Sequence, residues 1–238
     1  THYAPNNATV IVVGDINTDE TVRLVKKYYA KMKSQPAGPK VTTGEPEQAG
    51  ERRVYVNKIA QTPMFMAGYH IPDINHPDIV PLKVLSRILF DGESSRIYKK
   101  LVYDLQKSLD VGGGVDEMID PGLFYIYSSV KPEFTADEVE KAIYLEVEKL
   151  QTQPVTDREF QKAKNQVEAD FVFGLQSVSG KASQIGYYQT IAGDYRKFFS
   201  EPEEIQNVTK DDLMRVAKQY LTDKNRTVAI LVPEQPGS

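Results

Sequence analysis

The sequence contains no cysteine, and it has only three histidines in 238 residues. Without cysteine the chain can form no disulfide, no thiolate metal site and no cysteine nucleophile. The absence favours a periplasmic or exported protein, but many cytosolic chains also lack cysteine. Cysteine usage therefore does not identify the cellular compartment of the protein. It does exclude catalysis by a cysteine nucleophile.

The sequence also lacks a long apolar run and a strong excess of one charge. No run approaches the roughly 18 apolar residues that a membrane span needs. The formal net charge is −4 with both signs interspersed, unlike the basic footprint of a nucleic-acid-binding protein. With 40% hydrophobic residues, the chain has ample material for a globular core. We therefore expect no membrane span and no nucleic-acid partner.

The first fifty residues predict one strand, one helix and a linker. Residues 9–14 (TVIVVG) form a short β-branched apolar run, typical of a strand that is covered on both faces. Asn17 can cap a helix that runs through Lys33 and buries one apolar face. Residues 34–50 are rich in proline, glycine and polar side chains, which indicates a linker.

The remaining sequence predicts one sheet with several helices. Alternating β-branched or aromatic residues indicate strands at residues 52–58, 62–72, 109–117, 123–130 and 225–232. Apolar spacing and Thr-x-x-acidic capping sequences indicate helices at residues 79–90, 136–151, 157–175, 180–192 and 210–221. Because the strands are distant in sequence and helices intervene, we predict an α+β fold of two layers, with helices packed on one side of the sheet.

Two strand-like segments of the chain resemble each other. Residues 7–13 (NATVIVV) and 225–231 (NRTVAIL) each follow a tyrosine and a short polar turn. If a longer protein contained two copies of one domain, these segments would be the last strands of the two copies. The expected organisation is then a tail of the preceding repeat (1–33), a linker (34–50), a second domain (51–233) and a disordered or appended tail (234–238).

Three separated segments carry a resemblance to a known family. They are YAPNNATVIVVGDINTDE, IPDINHPDIVPLKVLSRILFDGESSRIYKKLVYDLQ and TDREFQKAKNQVEADF. In this order they resemble the end of the first repeat and two helical blocks of the second repeat in insulinase-like (pitrilysin family) zinc metallopeptidases. The resemblance extends from Tyr3 to Pro233. It identifies the chain as the C-terminal, non-catalytic domain with the tail of the preceding catalytic domain.

The resemblance implies a division of labour between two halves. Family members close paired α+β domains around a peptide-holding chamber, and their zinc lies in the first repeat on an H-x-x-E-H helix. This chain has no such motif: His2 precedes a strand, and His70 and His76 have no third ligand at metal-site spacing. We therefore expect no metal ligand, no cofactor and no catalytic residue here, with zinc in a catalytic half upstream in cis or on a partner subunit.

The family's second repeat also carries an arginine and a tyrosine that reach the peptide carbonyl under attack. The matching positions here are Val102 and Leu109, neither of which can donate a hydrogen bond. Arg96 is a possible substitute, the alternative being an arginine held in an ion pair. A strand edge in this stretch can pair with an extended, unfolded peptide. We accordingly place the substrate cleft at Val102, Leu109, Gly112 and Gly113.

Two functional hypotheses follow. In the first, the chain is the non-catalytic half of a zinc-dependent endopeptidase or oligopeptidase, inactive alone, which closes the peptide-holding chamber opposite the zinc-bearing half. In the second, it is a structural or interaction module with a lapsed peptidase role, like the core subunits of respiratory complexes. The apolar Val102 and Leu109 favour the second hypothesis, whereas an H-x-x-E-H motif in an upstream half would favour the first.

Overall fold

The computed structural model describes residues 3–36, 38–39 and 44–234. The chain divides into two compact units, the first made of Thr1–Glu47 with Val172–Phe199 and the second of Gln48–Phe171 with Ser200–Ser238. The predictions for His2 and for the tail at residues 235–238 lie outside the described residues. None of the helices in the described part combines the length and the apolar character of a membrane span.

The second unit contains a five-stranded mixed sheet. Its strands are β1 (Arg52–Ile59), β2 (Met64–Ile71), β3 (Ser108–Val115), β4 (Gly122–Val130) and β5 (Arg226–Glu234). Their order is β1-β5-β2-β4-β3, with β1 and β5 parallel and every other pair antiparallel. The strand made from the end of the sequence thus lies inside the sheet. Glu234, predicted to lie in a tail, is the last residue of β5.

Eight helices occur in the described residues. They are α1 (Thr18–Tyr29), α2 (Ile79–Phe90), α3 (Arg96–Tyr98), α4 (Ala136–Thr152), α5 (Asp157–Gly174), α6 (Val178–Tyr187), α7 (Arg196–Asn207) and α8 (Lys210–Tyr220). Two π-helical segments follow α3 and α6, at Lys99–Asp104 and Tyr188–Ala192. Single 3-10 turns lie at Pro5–Asn7 and Asp223–Asn225.

Local hydrogen bonds explain why several helices begin where the sequence predicts. The hydroxyl of Thr135 accepts a hydrogen bond from the amide of Glu138, whose carboxylate accepts one from the Thr135 amide. The same reciprocal pair joins Thr209 and Asp212 at the start of α8. Such pairs satisfy amide groups that have no partner inside the helix, and each stabilises a helix by about 1 kcal/mol.

One face of the sheet is buried and the other is largely exposed. In β2, Phe65, Ala67 and Tyr69 are fully buried, whereas the alternating Met64 and Met66 are 39% and 49% exposed. The buried face packs with residues of α2, α4 and α8 in one hydrophobic core. This arrangement confirms the predicted α+β fold with helices on one side of the sheet.

The first unit differs from the sequence-based expectation in its strand and in its helix. Residues 9–14 belong to no strand, and Val10 and Val12 are about half exposed. A strand exists only where a neighbouring backbone supplies hydrogen bonds, and none of the described strands pairs with this segment. Helix α1 ends at Tyr29 rather than Lys33, and it contains no buried residue. The predicted apolar face of this helix is therefore exposed in the structure.

Candidate cleft at the free edge of β3

A cleft of about 500 Å³ runs along β3 in the second unit. We call it the β3 cleft; its lining comes from four residues of α2 between Lys83 and Phe90, the loop at residues 91–93, Tyr98, residues 111–115 of β3, Glu117 and two tyrosines of β4. Among the described strands β3 pairs only with β4, so its other edge has no strand partner. Gly112 and Gly113, predicted cleft residues, lie in this lining.

The glycines of β3 are required by what surrounds them. A Cβ atom on Gly113 would lie 2.5 Å from the carbonyl oxygen of Tyr125 and 2.7 Å from the ring of Phe90. One on Gly112 would lie 2.5 Å from the hydroxyl of Tyr127, on the opposite face of the sheet. The neighbouring rings thus occupy the space of the missing side chains. The glycines themselves pair in regular register with β4, and the register shift between β3 and β4 lies at Ser108–Asp110.

Val102 and Leu109 lie outside the lining of the cleft. Val102 belongs to the π-helical segment and packs against the hydrophobic core. Leu109 is on β3 and is 53% exposed. The structure therefore brings Gly112 and Gly113 into the cleft and places the two apolar positions elsewhere.

An ion triad that the sequence analysis does not identify includes two residues of the cleft lining, Lys83 and Glu117. The ammonium group of Lys83 on α2 lies 3.1 Å from the carboxylate of Glu117 and donates a hydrogen bond to Glu201 on α7. The three side chains are at most 20% exposed. Burial alone would lower the pKa of Lys83, but the two carboxylates outweigh it, and the pKa lies above its ordinary value. The lysine is therefore charged, and its ammonium group is bound by the carboxylates of Glu117 and Glu201.

A signal for this triad exists in the sequence, at Lys83 itself. The lysine stands in the run IVPLKVLSRILF between Leu82 and Val84, both of which are fully buried. A lysine within a helix that is apolar all round needs a partner or a route to water. The partners themselves lie 34 and 118 residues away, and no local pattern identifies them.

A second set of charges lines the rim of the cleft. The guanidinium group of Arg87 is 2.8 Å from the carboxylate of Asp91 and also pairs with Asp170. Glu93 is exposed and interacts with the hydroxyl of Tyr103, which raises the pKa of that tyrosine. Two cations and three carboxylates therefore line the cleft.

Arg96 is held in an ion pair and is not offered to a ligand. Its guanidinium group donates to both carboxylate oxygens of Glu159, at 2.7 and 3.1 Å. The same carboxylate accepts hydrogen bonds from the amide and hydroxyl of Thr156 at the start of α5. Glu159 thus caps α5 and also binds Arg96, the first residue of α3. The hydrogen bonds from Arg96 and Thr156 lower the pKa of Glu159 to about 2.

Replacing Glu159 by alanine is expected to lower the free energy of unfolding by about 1–2 kcal/mol, because both the cap and the ion pair are lost. A carboxyl group with a lowered folded pKa stabilises the protein above its ordinary value of 4.5, and this contribution disappears as the pH falls towards 2. The difference between wild type and variant should therefore shrink between these pH values. Urea unfolding followed by circular dichroism measures it.

Glu148→Ala is the matched control, since Glu148 is an exposed glutamate on α4. It should change stability by less than about 0.5 kcal/mol. Glu159→Gln, which retains the cap, should lie between the two variants. Equal stabilities of the Glu159→Ala and Glu148→Ala proteins would contradict the dual role of Glu159.

The two described histidines, His70 and His76, do not fit a zinc site. The Nδ1 atom of His76 accepts a hydrogen bond of 3.1 Å from the amide of Asp78. The Asp78 carboxylate is bound by Arg215 and by the hydroxyl of Tyr220, both at 2.7 Å. His70 lies on β2, in a different element. Within the described part of the chain, no three histidine or acidic side chains are grouped so that they could hold a metal ion.

Comparisons with known sequences agree on one family. The model of the peptidase M16 inactive domain matches residues 1–167. Zinc protease PqqE of Helicobacter pylori is 31% identical over 235 residues, which cover 98% of this chain and 53% of that protein. An uncharacterized zinc protease of Mycobacterium bovis is 24% identical over 97% of this chain and 53% of its own length. The chain therefore spans about half the length of these relatives.

Solved structures show the same fold. A protease from Helicobacter pylori matches with a TM-score of 0.93 and 30% identity, over 97% of this chain and 56% of that chain. The structure of a peptidase M16 inactive domain from Pseudomonas fluorescens matches with a TM-score of 0.84, over 98% of this chain and 56% of that chain. Its identity is 17%, so this second likeness concerns the fold alone.

Proposed function

The chain belongs to the peptidase M16 family as an inactive domain, and on that premise we propose that it closes a peptide-holding chamber opposite a zinc-bearing half. Family membership confirms the resemblance to insulinase-like zinc metallopeptidases that the three sequence motifs indicate. The relatives are named zinc proteases. The catalytic half would be the other part of a longer polypeptide or a partner subunit.

The observation that carries this proposal is the β3 cleft. A strand with a free edge offers backbone amide and carbonyl groups to an extended peptide, which can add itself to the sheet. Gly112 and Gly113 lie in the lining of the cleft and contribute only backbone atoms to it. The affinity of such a contact comes from main-chain hydrogen bonds, so it suits unfolded peptides of varied sequence.

The residues of this chain suit binding rather than chemistry. Arg96 is occupied by Glu159, and Lys83 is occupied by Glu117 and Glu201. A zinc ion in the other half would supply an activated water at neutral pH. In this division of labour, the chain holds the peptide and excludes folded proteins from the chamber.

We expect the 238-residue chain to bind an unstructured peptide without hydrolysing it, and to support hydrolysis once a half containing H-x-x-E-H is added. Mixing the two separately purified halves and following cleavage of a quenched fluorescent peptide tests this. Cleavage should require both halves and should stop on addition of a zinc chelator. Cleavage by the other half alone at the same rate would contradict a role for this chain.

A scaffold role is the second candidate, and the apolar Val102 and Leu109 favour it. At these positions the resemblance implies an arginine and a tyrosine that contact the substrate, and neither valine nor leucine can replace their hydrogen bonds. If the mixed halves form a stable complex that neither binds nor cleaves peptide, the scaffold role is the better account.

A further inference from the structure

A peptide that pairs with the free edge of β3 places alternate side chains on opposite faces of the sheet. On one face the nearest groups belong to α2 and to the loop at residues 91–93. On the other face lie the phenol groups of Tyr125 and Tyr127, which cover Gly114 and Gly112. Because the glycines of β3 contribute no side chains, these neighbours decide which peptide side chains the cleft accepts.

The cations of the cleft cannot attract an anionic side chain. Lys83 and Arg87 are each paired with two carboxylates, of which Glu117 and Asp91 also line the cleft. The lining as a whole holds two cations and three carboxylates. An acidic side chain entering here would meet more negative than positive charge.

Glu93 adds a carboxylate that is free to meet a ligand. It is exposed in the lining of the cleft, and its carboxylate raises the pKa of the Tyr103 hydroxyl, a neutral group. Within the described residues no lysine or arginine forms an ion pair with Glu93. The phenol oxygens of Tyr125 and Tyr127 can accept hydrogen bonds from ammonium or guanidinium groups on the opposite face.

We propose that the β3 cleft selects extended peptides that carry a lysine or arginine side chain opposite Gly112–Gly114. This inference rests on the proposed peptide-binding function and adds a specificity to it. The geometry supplies a free strand edge and a cavity of about 500 Å³, and the excess of carboxylates supplies the preference. Glu93 is the principal specificity-determining residue.

Three unstructured peptides that differ only in one central residue, arginine, glutamine or glutamate, test the proposal. Fluorescence anisotropy with the 238-residue chain should give the order arginine, glutamine, glutamate in decreasing affinity. Arginine and glutamate should differ by roughly tenfold at low ionic strength, as expected for one or two exposed charge contacts. Raising the salt concentration to about 1 M, where the Debye length is about 3 Å, should remove most of the difference.

The outcomes separate the inference from the function on which it rests. Equal binding of all three peptides would overturn the charge preference and leave peptide binding intact. Stronger binding of the glutamate peptide would overturn the preference outright. Binding of none of them would overturn both proposals for this chain.

Variants locate the preference within the cleft. Glu93→Gln should lower affinity for the arginine peptide about fivefold and leave affinity for the glutamine peptide unchanged. Glu148→Gln, at an exposed position on α4 outside the cleft lining, is the matched control and should change neither. Identical effects of the two variants would show that net charge, and not the β3 cleft, produces the preference.

Discussion

Replacing Lys83 by methionine is expected to lower the free energy of unfolding by about 3–5 kcal/mol. Methionine fills a volume similar to that of the lysine, so little cavity is created. The loss arises because Glu117 and Glu201 remain as neighbouring carboxylates, 18% and 10% exposed, without their shared cation. Urea unfolding at neutral pH measures the change, and Lys141→Met, at an exposed position on α4, is the control.

The pH dependence of the Lys83→Met protein provides a sharper test. Without the lysine, Glu117 and Glu201 are two like charges held close together at neutral pH, and they repel each other. Protonation at low pH removes this repulsion. The deficit relative to wild type should therefore be smallest near pH 4 and largest at neutral pH.

A double variant keeps this prediction testable if Lys83→Met alone does not fold. Adding Glu201→Gln removes one of the two carboxylates that bound the lysine and should restore roughly half of the lost stability. A Lys83→Met protein as stable as Lys141→Met would mean that the triad contributes nothing to stability, and a deficit that does not depend on pH would mean that repulsion between the carboxylates does not cause the loss.

Replacing Gly113 by alanine is expected to cost about 2–3 kcal/mol and to abolish measurable peptide binding. The new methyl group would meet the Tyr125 carbonyl at 2.5 Å and Phe90 at 2.7 Å. A carbonyl group in the backbone of β4 cannot move aside without disturbing the β3–β4 pairing, so the cost is that of overpacking. The displaced strand would then present a distorted edge to the peptide.

Gly68→Ala is the matched control on β2. A Cβ atom there would lie 3.5 Å from the side chain of Leu123, which is ordinary van der Waals contact. This variant should be as stable as wild type or slightly more stable, because alanine restricts the unfolded chain more than glycine does. Thermal unfolding and the anisotropy titration report the two effects separately. If Gly113→Ala has the same stability and peptide affinity as Gly68→Ala, the contacts around Gly113 do not restrict which residue can occupy this position.

Local patterns in the sequence predict most of the elements of the second unit. Helix α2 occupies residues 79–90 as predicted, because an apolar run of that length ends at Asp91-Gly92, and Gly92 has a φ of 73°. The capping boxes at Thr135, Thr156 and Thr209 place three more helices within one or two residues. These signals depend on neighbouring residues only, which is why they can be recognised without the fold.

Elements that depend on distant residues are harder to predict. Helix α7 is absent from the sequence-based expectation, and it contains Pro202, a residue type that is disfavoured in helix interiors. It forms nevertheless, with Phe198, Glu201 and Ile205 buried at helical spacing. The strand expected at residues 9–14 is the opposite case: its composition is that of a strand, but it has no partner among the described strands.

In the candidate site too, features that depend on residues distant in sequence are not predicted from the sequence. The glycines of β3 stand out in the sequence, and the family resemblance directs attention to this region. The ion triad does not stand out, because Lys83 and Glu201 are 118 residues apart. Arg96 can be recognised as a candidate from the sequence, but only the structure shows that Glu159 occupies it.

The position of β5 constrains how this protein can be synthesised. A ribosome releases β1 before the other described strands, yet β1 pairs with no described strand other than β5, the last of the five in chain order. Until translation reaches Glu234, β1 and the outer edge of β2 remain without their partner, and both are exposed to association with other nascent chains. A premature stop codon before Arg226 would therefore remove the strand that joins β1 to β2. The product would be a protein with an interrupted sheet and two unpaired strand edges, and not a slightly shorter domain.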